Sequence, residues 1–338
     1  MNKKVLLTGA FGNIGSLAIR ELLSQGYSVV AFDKDGPITR KNAKSFADTG
    51  ITIVWGDITV RQDIESALQG VDAVIHLAGI IPPLSESHPA LCNAVNVEGT
   101  RYIIETMEKS SSLKRLVFAS SIAVYGNQQW RNTPPLKAST PVSPDDTYGK
   151  SKADCEAMLQ SSSLDWSIMR IAACPPVNIR NMDSFKGNPV FEFHPDSRLE
   201  VIHPADAALA FVNAVSCNEA IGKILLLGGG AGNQLTYQQQ FSSMLTAIGQ
   251  NPLPREVFQM KEPIEFYGDW IDTEESQRLL QFQRHSVQQQ HQDFWHSFGF
   301  VRYILLLFKP LAPLVSWAIK QSSPYYQNKI IRKAEVQP

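Results

Sequence analysis

Residues 5–15 read Val5-Leu6-Leu7-Thr8-Gly9-Ala10-Phe11-Gly12-Asn13-Ile14-Gly15: an apolar run, a turn with three glycines, then the start of a helical pattern. The spacing of Ile14, Leu17, Ala18 and Leu22 predicts a helix over residues 14–25, so the glycines join a strand to a helix. Gly9 suits a tight turn, Gly12 a close approach of backbone to a pyrophosphate, and Gly15 close helix–strand packing. Free amides at the following helix N-terminus favour the phosphates. Asp33 closes the next apolar run, 18 residues beyond Gly15. That is near the distance at which an acid takes the ribose 2′-hydroxyl of a dinucleotide and repels a 2′-phosphate. These residues point to NAD over NADP, although Lys34 and Arg40 bring positive charge to the same corner. Asp57, in Gly56-Asp57-Ile58, suits either the adenine amino group or a cap for a helix over 60–69.

Working outward, β-rich runs at 5–8, 27–32, 51–55, 73–77, 115–119 and 166–171 alternate with helical stretches at 14–25, 60–69, 93–109 and 148–160. The alternation predicts an α/β fold: a Rossmann-type doubly wound parallel sheet. Few charges fall in the strands, as expected where helices cover both faces. Pro175, Pro176, Pro189, Pro195 and Pro204 then mark a loop-rich change of character, suited to a smaller C-terminal substrate-binding lobe. A run at 224–227 returns to the sheet. The expected division is 1–171 for the dinucleotide domain, 172–290 for the lobe and 291–338 for an apolar helical tail.

The 338 residues have 43% hydrophobic and 19% charged content and a formal net charge of -1, which gives no bulk attraction to nucleic acid. Cys92, Cys155, Cys174 and Cys217 lack metal-ligand spacing, so no metal site is expected and the thiols suit a reducing compartment. No apolar stretch of roughly 7–15 residues precedes the first glycine turn, which predicts a cytoplasmic protein. Residues 298–319 are strongly apolar but broken by Arg302, Lys309, Pro310 and Pro313. A spanning helix wants about 20 mostly apolar residues. The pattern therefore predicts a helix–Pro–helix element that lies on a membrane face or covers protein surface.

Two later segments carry the chemistry. Tyr148 and Lys152, in Tyr148-Gly149-Lys150-Ser151-Lys152, share a helix face at i and i+4, and a cation there lowers a phenol's pKa. Ser121, in Ser120-Ser121-Ile122-Ala123-Val124-Tyr125-Gly126, follows a strand, where open parallel sheets bind ligands. Its hydroxyl can hold a substrate oxygen.

In order along residues 3–290, the turn at 8–15, Asp33, Gly56-Asp57-Ile58, His76-Leu77-Ala78-Gly79 and Asn96-Val97-Glu98-Gly99-Thr100 resemble the extended short-chain dehydrogenase/reductase family. So do the serine and Tyr148–Lys152 segments, Ile202-His203-Pro204-Ala205-Asp206 and Ile271-Asp272-Thr273. The family is often named for NAD-dependent epimerases and dehydratases. The resemblance implies NAD held by Gly9, Phe11, Gly12, Asn13, Ile14, Gly15, Asp33, Asp57, Ile58, Leu77, Ala78, Tyr148 and Lys152. It implies Tyr148 as acid/base, Lys152 as its modulator and ribose ligand, and Ser121 as the residue orienting the substrate oxygen. Asn96 would pin a loop, and His203 and Asp206 would organise the lobe. A homodimer built on the helices at 93–109 and 148–160 is a family expectation. Two departures bear on substrate. Ile122 and Ala123 stand where family dehydratases carry an acidic pair. Ala173 stands where nucleotide-sugar epimerases have an asparagine, three residues after the arginine matching Arg170. With the apolar Ile80-Ile81-Pro82-Pro83-Leu84 segment, these favour hydride transfer on a lipophilic secondary alcohol or ketone. A nucleotide-sugar epimerase and a non-catalytic NAD-binding regulator are the alternatives.

Overall fold

A computed structural model describes residues 3–131, 133–178, 191–307 and 309–326. Pro189 and Phe308, both used in the reading of the sequence, lie outside the described residues, as do positions 327–338. Seven strands form one sheet: β1 Lys4–Thr8, β2 Ser28–Asp33, β3 Thr52–Trp55, β4 Ala73–His76, β5 Arg115–Ser121, β6 Asp165–Ile171 and, after a short strand β7 Arg198–Glu200 that lies outside it, β8 Lys223–Leu227. Their order is β3-β2-β1-β4-β5-β6-β8 and every pairing is parallel. The order reverses direction at β1, so the carboxyl ends of β1 and β4 flank a natural ligand crevice.

Side chains alternate across the sheet. Val5, Leu7, Ala31 and Ile75 face the helices Gly15–Ser24 and Pro204–Ser216, burying Ala18, Ile19, Leu22 and Phe211. Leu6, Val30, Val74 and Phe118 face the opposite way, onto Arg61–Ala67, Gly99–Lys109 and Thr147–Ser161. Both faces are dry, which is why the strands lack a polar alternation.

The smaller unit is built around the antiparallel pair of β7 Arg198–Glu200 and β9 Gln234–Thr236. The helices Tyr237–Ala247 and Val287–His296 complete it, each opened by a capping box. Its interior is aromatic: Phe193, Tyr237, Phe266 and Phe258 meet mainly edge to face. The apolar tail folds as the helix Val301–Leu307, a single tight turn at Lys309–Leu311 and the helix Ala312–Ser322.

Most element ends fall within a residue or two of expectation, and three of the differences bear on the site. The helix expected over 93–109 opens as a π-helical turn, Asn93–Glu98, and becomes regular only at Gly99. Thr100 bonds back to the Asn96 carbonyl at 2.5 Å within that widened turn, a local adjustment that apolar spacing does not record. β4 stops at His76, one residue early, because Leu77 leaves the ladder to approach the glycine turn. β5 runs on to Ser121, carried by its register with β6.

One buried ion pair joins the layers. Arg170 of β6 and Glu156 of Thr147–Ser161, each 2% exposed, meet through Nη2–Oε2 at 2.6 Å and Nε–Oε1 at 2.9 Å. Ser120 donates to the same carboxylate at 2.5 Å, and Arg170 donates to the Tyr125 hydroxyl at 2.7 Å. Removing one member of such a pair strands the other charge in a dry interior. Glu156→Ala is therefore expected to lower unfolding free energy by about 3–5 kcal/mol, measured by urea denaturation; a loss no larger than that of a surface substitution would show the pair to be dispensable.

Candidate active site

The glycine turn is sterically committed. Gly9 has φ +65°, and a Cβ there would meet the Ala78 amide nitrogen at 2.8 Å. A Cβ on Gly15 would fall 2.2 Å from the Gly9 carbonyl, so the helix can start against the turn only with glycine. Gly12 differs: its Cβ would meet only the Gly9 carbonyl, at 3.3 Å, leaving the outer side open to a ligand. Phe11 turns inward against Phe46 and Trp55, so its contribution to the crevice is its backbone. Asn13 donates to the Cys174 carbonyl at 3.2 Å, tying the turn to the chain beyond β6, and Ile14 caps the helix without a side-chain bond to its free amides.

Asp33, at the end of β2, accepts the Phe11 amide on one carboxylate oxygen and the Lys34 amide on the other, both at 2.8 Å. Burial pushes its pKa up against the pull of these two bonds. Lys34 reaches Asp57 at 2.8 Å, and Arg40 pairs with Asp35. Both cations that weakened the NAD reading thus have carboxylate partners. Asp57 does not cap the following helix. Val60 holds that position, while Asp57 accepts from the Thr59 amide and hydroxyl and receives the reach-back of Asp63 through its own amide. Partial burial pushes its carboxyl up, but the Lys34 and Thr59 bonds outweigh that and hold it low. Ile58 is buried beneath Gly99, whose added Cβ would meet it at 2.8 Å.

Leu77 and Ala78 come to the crevice by backbone, their amides donating to the Thr8 carbonyl and hydroxyl, each at 3.2 Å. His76 sits between the hydroxyls of Thr8 (2.7 Å) and Thr100 (3.0 Å). Burial, assisted by Lys152, drives its pKa down to about 3, so the ring is neutral. Asn96 grips Ile80 through both main-chain groups, at 2.7 and 3.0 Å, and also donates to Ser151.

Ser121, Tyr148 and Lys152 converge at the carboxyl end of β5. The Ser121 hydroxyl accepts the Ala123 amide at 3.2 Å and acts on the Tyr148 phenol, drawing its pKa down. Lys152 lies 5.8 Å from the centre of the Tyr148 ring and 4.9 Å from that of Phe118, and donates to the Ala119 carbonyl at 2.8 Å. The expectation that Lys152 holds the phenol low is not met. Burial pushes Tyr148 well above its ordinary value, with the Ser121 bond acting against it. The same burial pushes the lysine down, because desolvation disfavours both charges.

Glu86 was not singled out from the sequence. It accepts the amides of Thr147 and Tyr148 at 3.0 and 3.1 Å, so the helix start bearing the phenol is held from outside as well as by Asp146, whose carboxylate takes the Gly149 amide. No local pattern in Ser85-Glu86-Ser87 announces a partner 61 residues away. His203 caps Pro204–Ser216 through the Ala205 amide, and Asp206 accepts the amides of Arg284 and His285 at 3.0 and 2.9 Å, a structural use of both. Among the described residues, His203, Asp206 and His285 alone have metal-like spacing. The two imidazoles stack, 4.2 Å apart and 17° from parallel, so their in-plane lone pairs cannot meet at one ion.

The family model for the NAD-dependent epimerase/dehydratase family matches residues 5–178. The chain is 32% identical over 192 residues to UDP-glucose 4-epimerase 2 of Arabidopsis thaliana, covering 52% of this chain and 53% of that one. It is 33% identical over 122 residues to the human decarboxylating sterol-4-alpha-carboxylate 3-dehydrogenase, covering 36% and 30%. The chain spans about half the length of the first curated relatives it matches. Among solved structures, UDP-glucose-4-epimerase from Stenotrophomonas maltophila, with bound NAD and formylated UDP-arabinopyranose, superposes with a TM-score of 0.73 at 22% identity. That alignment covers 90% of this chain and 99% of the other, and at such identity the likeness is one of fold.

The two inner glycines separate stability from binding. Gly12→Ala is expected to keep its melting temperature but lose dinucleotide affinity, whereas Gly15→Ala should lose both, read by thermal denaturation and calorimetric titration. Unchanged affinity in folded Gly12→Ala would remove the phosphate role from the turn.

Proposed function

Because the chain belongs to the NAD-dependent epimerase/dehydratase family, we propose that it is an NAD-dependent oxidoreductase acting on a lipophilic secondary alcohol or ketone. The carrying observation is the convergence at the carboxyl end of β5 of Ser121, Tyr148 and, one helical turn below the phenol, Lys152. NAD fits the crevice: the open side of Gly12 and the free amides of Gly15–Ser24 suit its pyrophosphate, and Asp33 suits the ribose hydroxyls. Asp57 and the main chain of Ile58, Leu77 and Ala78 would border the cofactor, and Lys152 would hold the nicotinamide ribose. Bound there, the cofactor supplies the hydride acceptor or donor.

The remaining steps belong to the chain. Ser121 donates to the substrate oxygen and fixes it beside Tyr148. In reduction, Tyr148 gives its phenolic proton to that oxygen; in oxidation the phenolate takes it back. Lys152 stabilises the phenolate when it forms. A phenol held high by burial stays protonated through neutral pH, so the site is poised as a proton donor.

Substrate choice rests on what surrounds this group. Ile122 and Ala123 are buried apolar residues, which leaves no acid for elimination of water. Ala173 is engaged through its backbone with Glu200 and Ile202 and offers only a methyl group. Ile81 and Leu84 are exposed on the segment that Glu86 ties to the Tyr148 amide. The matched residues 5–178 hold the cofactor and proton machinery, so the substrates of relatives transfer weakly to the lobe beyond them.

Tyr148→Phe is expected to abolish turnover while NAD affinity in calorimetry changes little. Loss of NAD binding together with activity would make Tyr148 structural, and turnover of UDP-sugars without net cofactor reduction would establish an epimerase. Asp33→Ala should weaken NAD binding by about 10–100-fold, the worth of hydrogen bonds to a charged group. For pH, the raised Tyr148 phenol predicts that alcohol oxidation climbs by roughly tenfold per unit through neutrality, while carbonyl reduction stays level. A reduction rate that falls from slightly acidic to neutral pH would contradict the donor role.

A further inference from the structure

The tail helix Ala312–Ser322 is docked with its faces reversed. Ala312, Ser316 and, just beyond it, Ser323 are buried against the lobe, and the Ser323 hydroxyl donates to the Val257 carbonyl at 2.6 Å. Of its larger apolar side chains only Ile319 joins that seat. Leu314 and Trp317 point outward, 63% and 61% exposed. The preceding helix continues the surface with Val301, Ile304 and Leu307, the last 78% exposed. A helix whose only other neighbour is water shows the opposite arrangement, and so many exposed large apolar side chains in one stretch mark a contact site. Among the described residues no helix is long and apolar enough to cross a membrane.

Charge identifies the occupant. Beyond Asp293 the chain has six lysines and arginines and a single acid, Glu335, while the residues up to Asp293 hold 25 basic against 31 acidic side chains. Arg302, Lys309 and Lys320 fall within the same helices and turn as the exposed apolar residues. Across a two-fold contact with a second copy these cations would face their own kind, whereas anionic headgroups neutralise them. We propose that the outward face of the two tail helices lies in the interface of an anionic lipid bilayer, with Leu307, Leu314 and Trp317 among the acyl chains and the three cations at headgroup level. This does not depend on the proposed oxidoreductase activity.

The test is flotation of the full chain with vesicles of phosphatidylcholine alone and of phosphatidylcholine with phosphatidylglycerol in equal parts. Binding is expected only to the anionic vesicles and is expected to weaken with added salt. The triple substitution L307S/L314S/W317S, at exposed positions, should keep the thermal transition and reduce binding by about tenfold or more, the equivalent of losing at least one buried apolar side chain. Lys309→Glu with Lys320→Glu should reduce it as well. No flotation of the unaltered chain would overturn the proposal. So would a dimer, seen by analytical ultracentrifugation, that the triple substitution dissolves, since that would assign the face to a second copy.

Discussion

The Glu156 carboxylate lies two turns below Tyr148 on the face of Thr147–Ser161 that also presents Lys152, and its pairing with Arg170 fixes everything above it. Three residues at i, i+4 and i+8 share one stripe, so the turn that anchors the helix to the sheet also aims the phenol and the ammonium. Ser120 bonds to the same carboxylate, and its neighbour Ser121 ends β5 on the side of the phenol, whose pKa it draws down. Ser121 and Tyr148 are thus registered through adjacent atoms of one buried network. Arg170 extends that network to Tyr125, whose hydroxyl in turn holds the Lys137 carbonyl, a main-chain contact at the rim of the site.

The dryness that makes the ion pair strong also sets the electrostatics above it. Burial raises Tyr148, lowers Lys152 and neutralises His76, each in the direction of the uncharged form. A cation one helical turn from a phenol lowers its pKa only to the extent that the cation itself stays fully charged and unshared. Here the ammonium is bonded to the Ala119 carbonyl and seated over Phe118. The residue pair therefore reads as base and activator from spacing alone, but its surroundings favour a proton donor. The protonated phenol suits the start of a reduction and the phenolate is the state to be stabilised at its end.

Much of this was legible in the residues. Gly9, Gly12, Gly15 and Asp33 announce the crevice because a tight turn and a strand-end acid are local requirements, and the parallel sheet follows from apolar runs too short for helices. What escaped depends on distant partners. Glu86 acts on Thr147 and Tyr148, and nothing near position 86 encodes that. Asp57 looks like a helix cap by sequence offset, yet the chain continues three residues before the helix starts and Lys34 claims its free oxygen. The π-helical turn at Asn93–Glu98 is set by the grip of Asn96 on Ile80 and Ser151, contacts across 16 and 55 residues. His203, polar and next to a helix start, is legible as a cap because that use is local, whereas Asp206 accepts amides 78 and 79 residues away.

The reversed tail helix and the apolar surroundings of the cleft meet in the lobe. Ile319 and Tyr326 rest on the cluster containing Phe258. Phe258 meets Tyr237 at 5.8 Å, Tyr237 meets Phe193 at 5.2 Å, and Phe193 meets Tyr267 at 5.7 Å. The next residue, Gly268, lies beside Ile122, which follows Ser121 in the chain. A single aromatic wall therefore backs the tail on one side and approaches the reacting groups on the other. Ala312, Ser316 and, just past the helix, Ser323 are the buried residues of the tail on that side, while Leu314 and Trp317 are exposed. The face that this wall turns toward the reacting groups is one of rings, Tyr267 and Phe266, beside the buried Ile122. Ring surface of this kind binds by area removed from water, and the proposal of a lipophilic substrate rests on it.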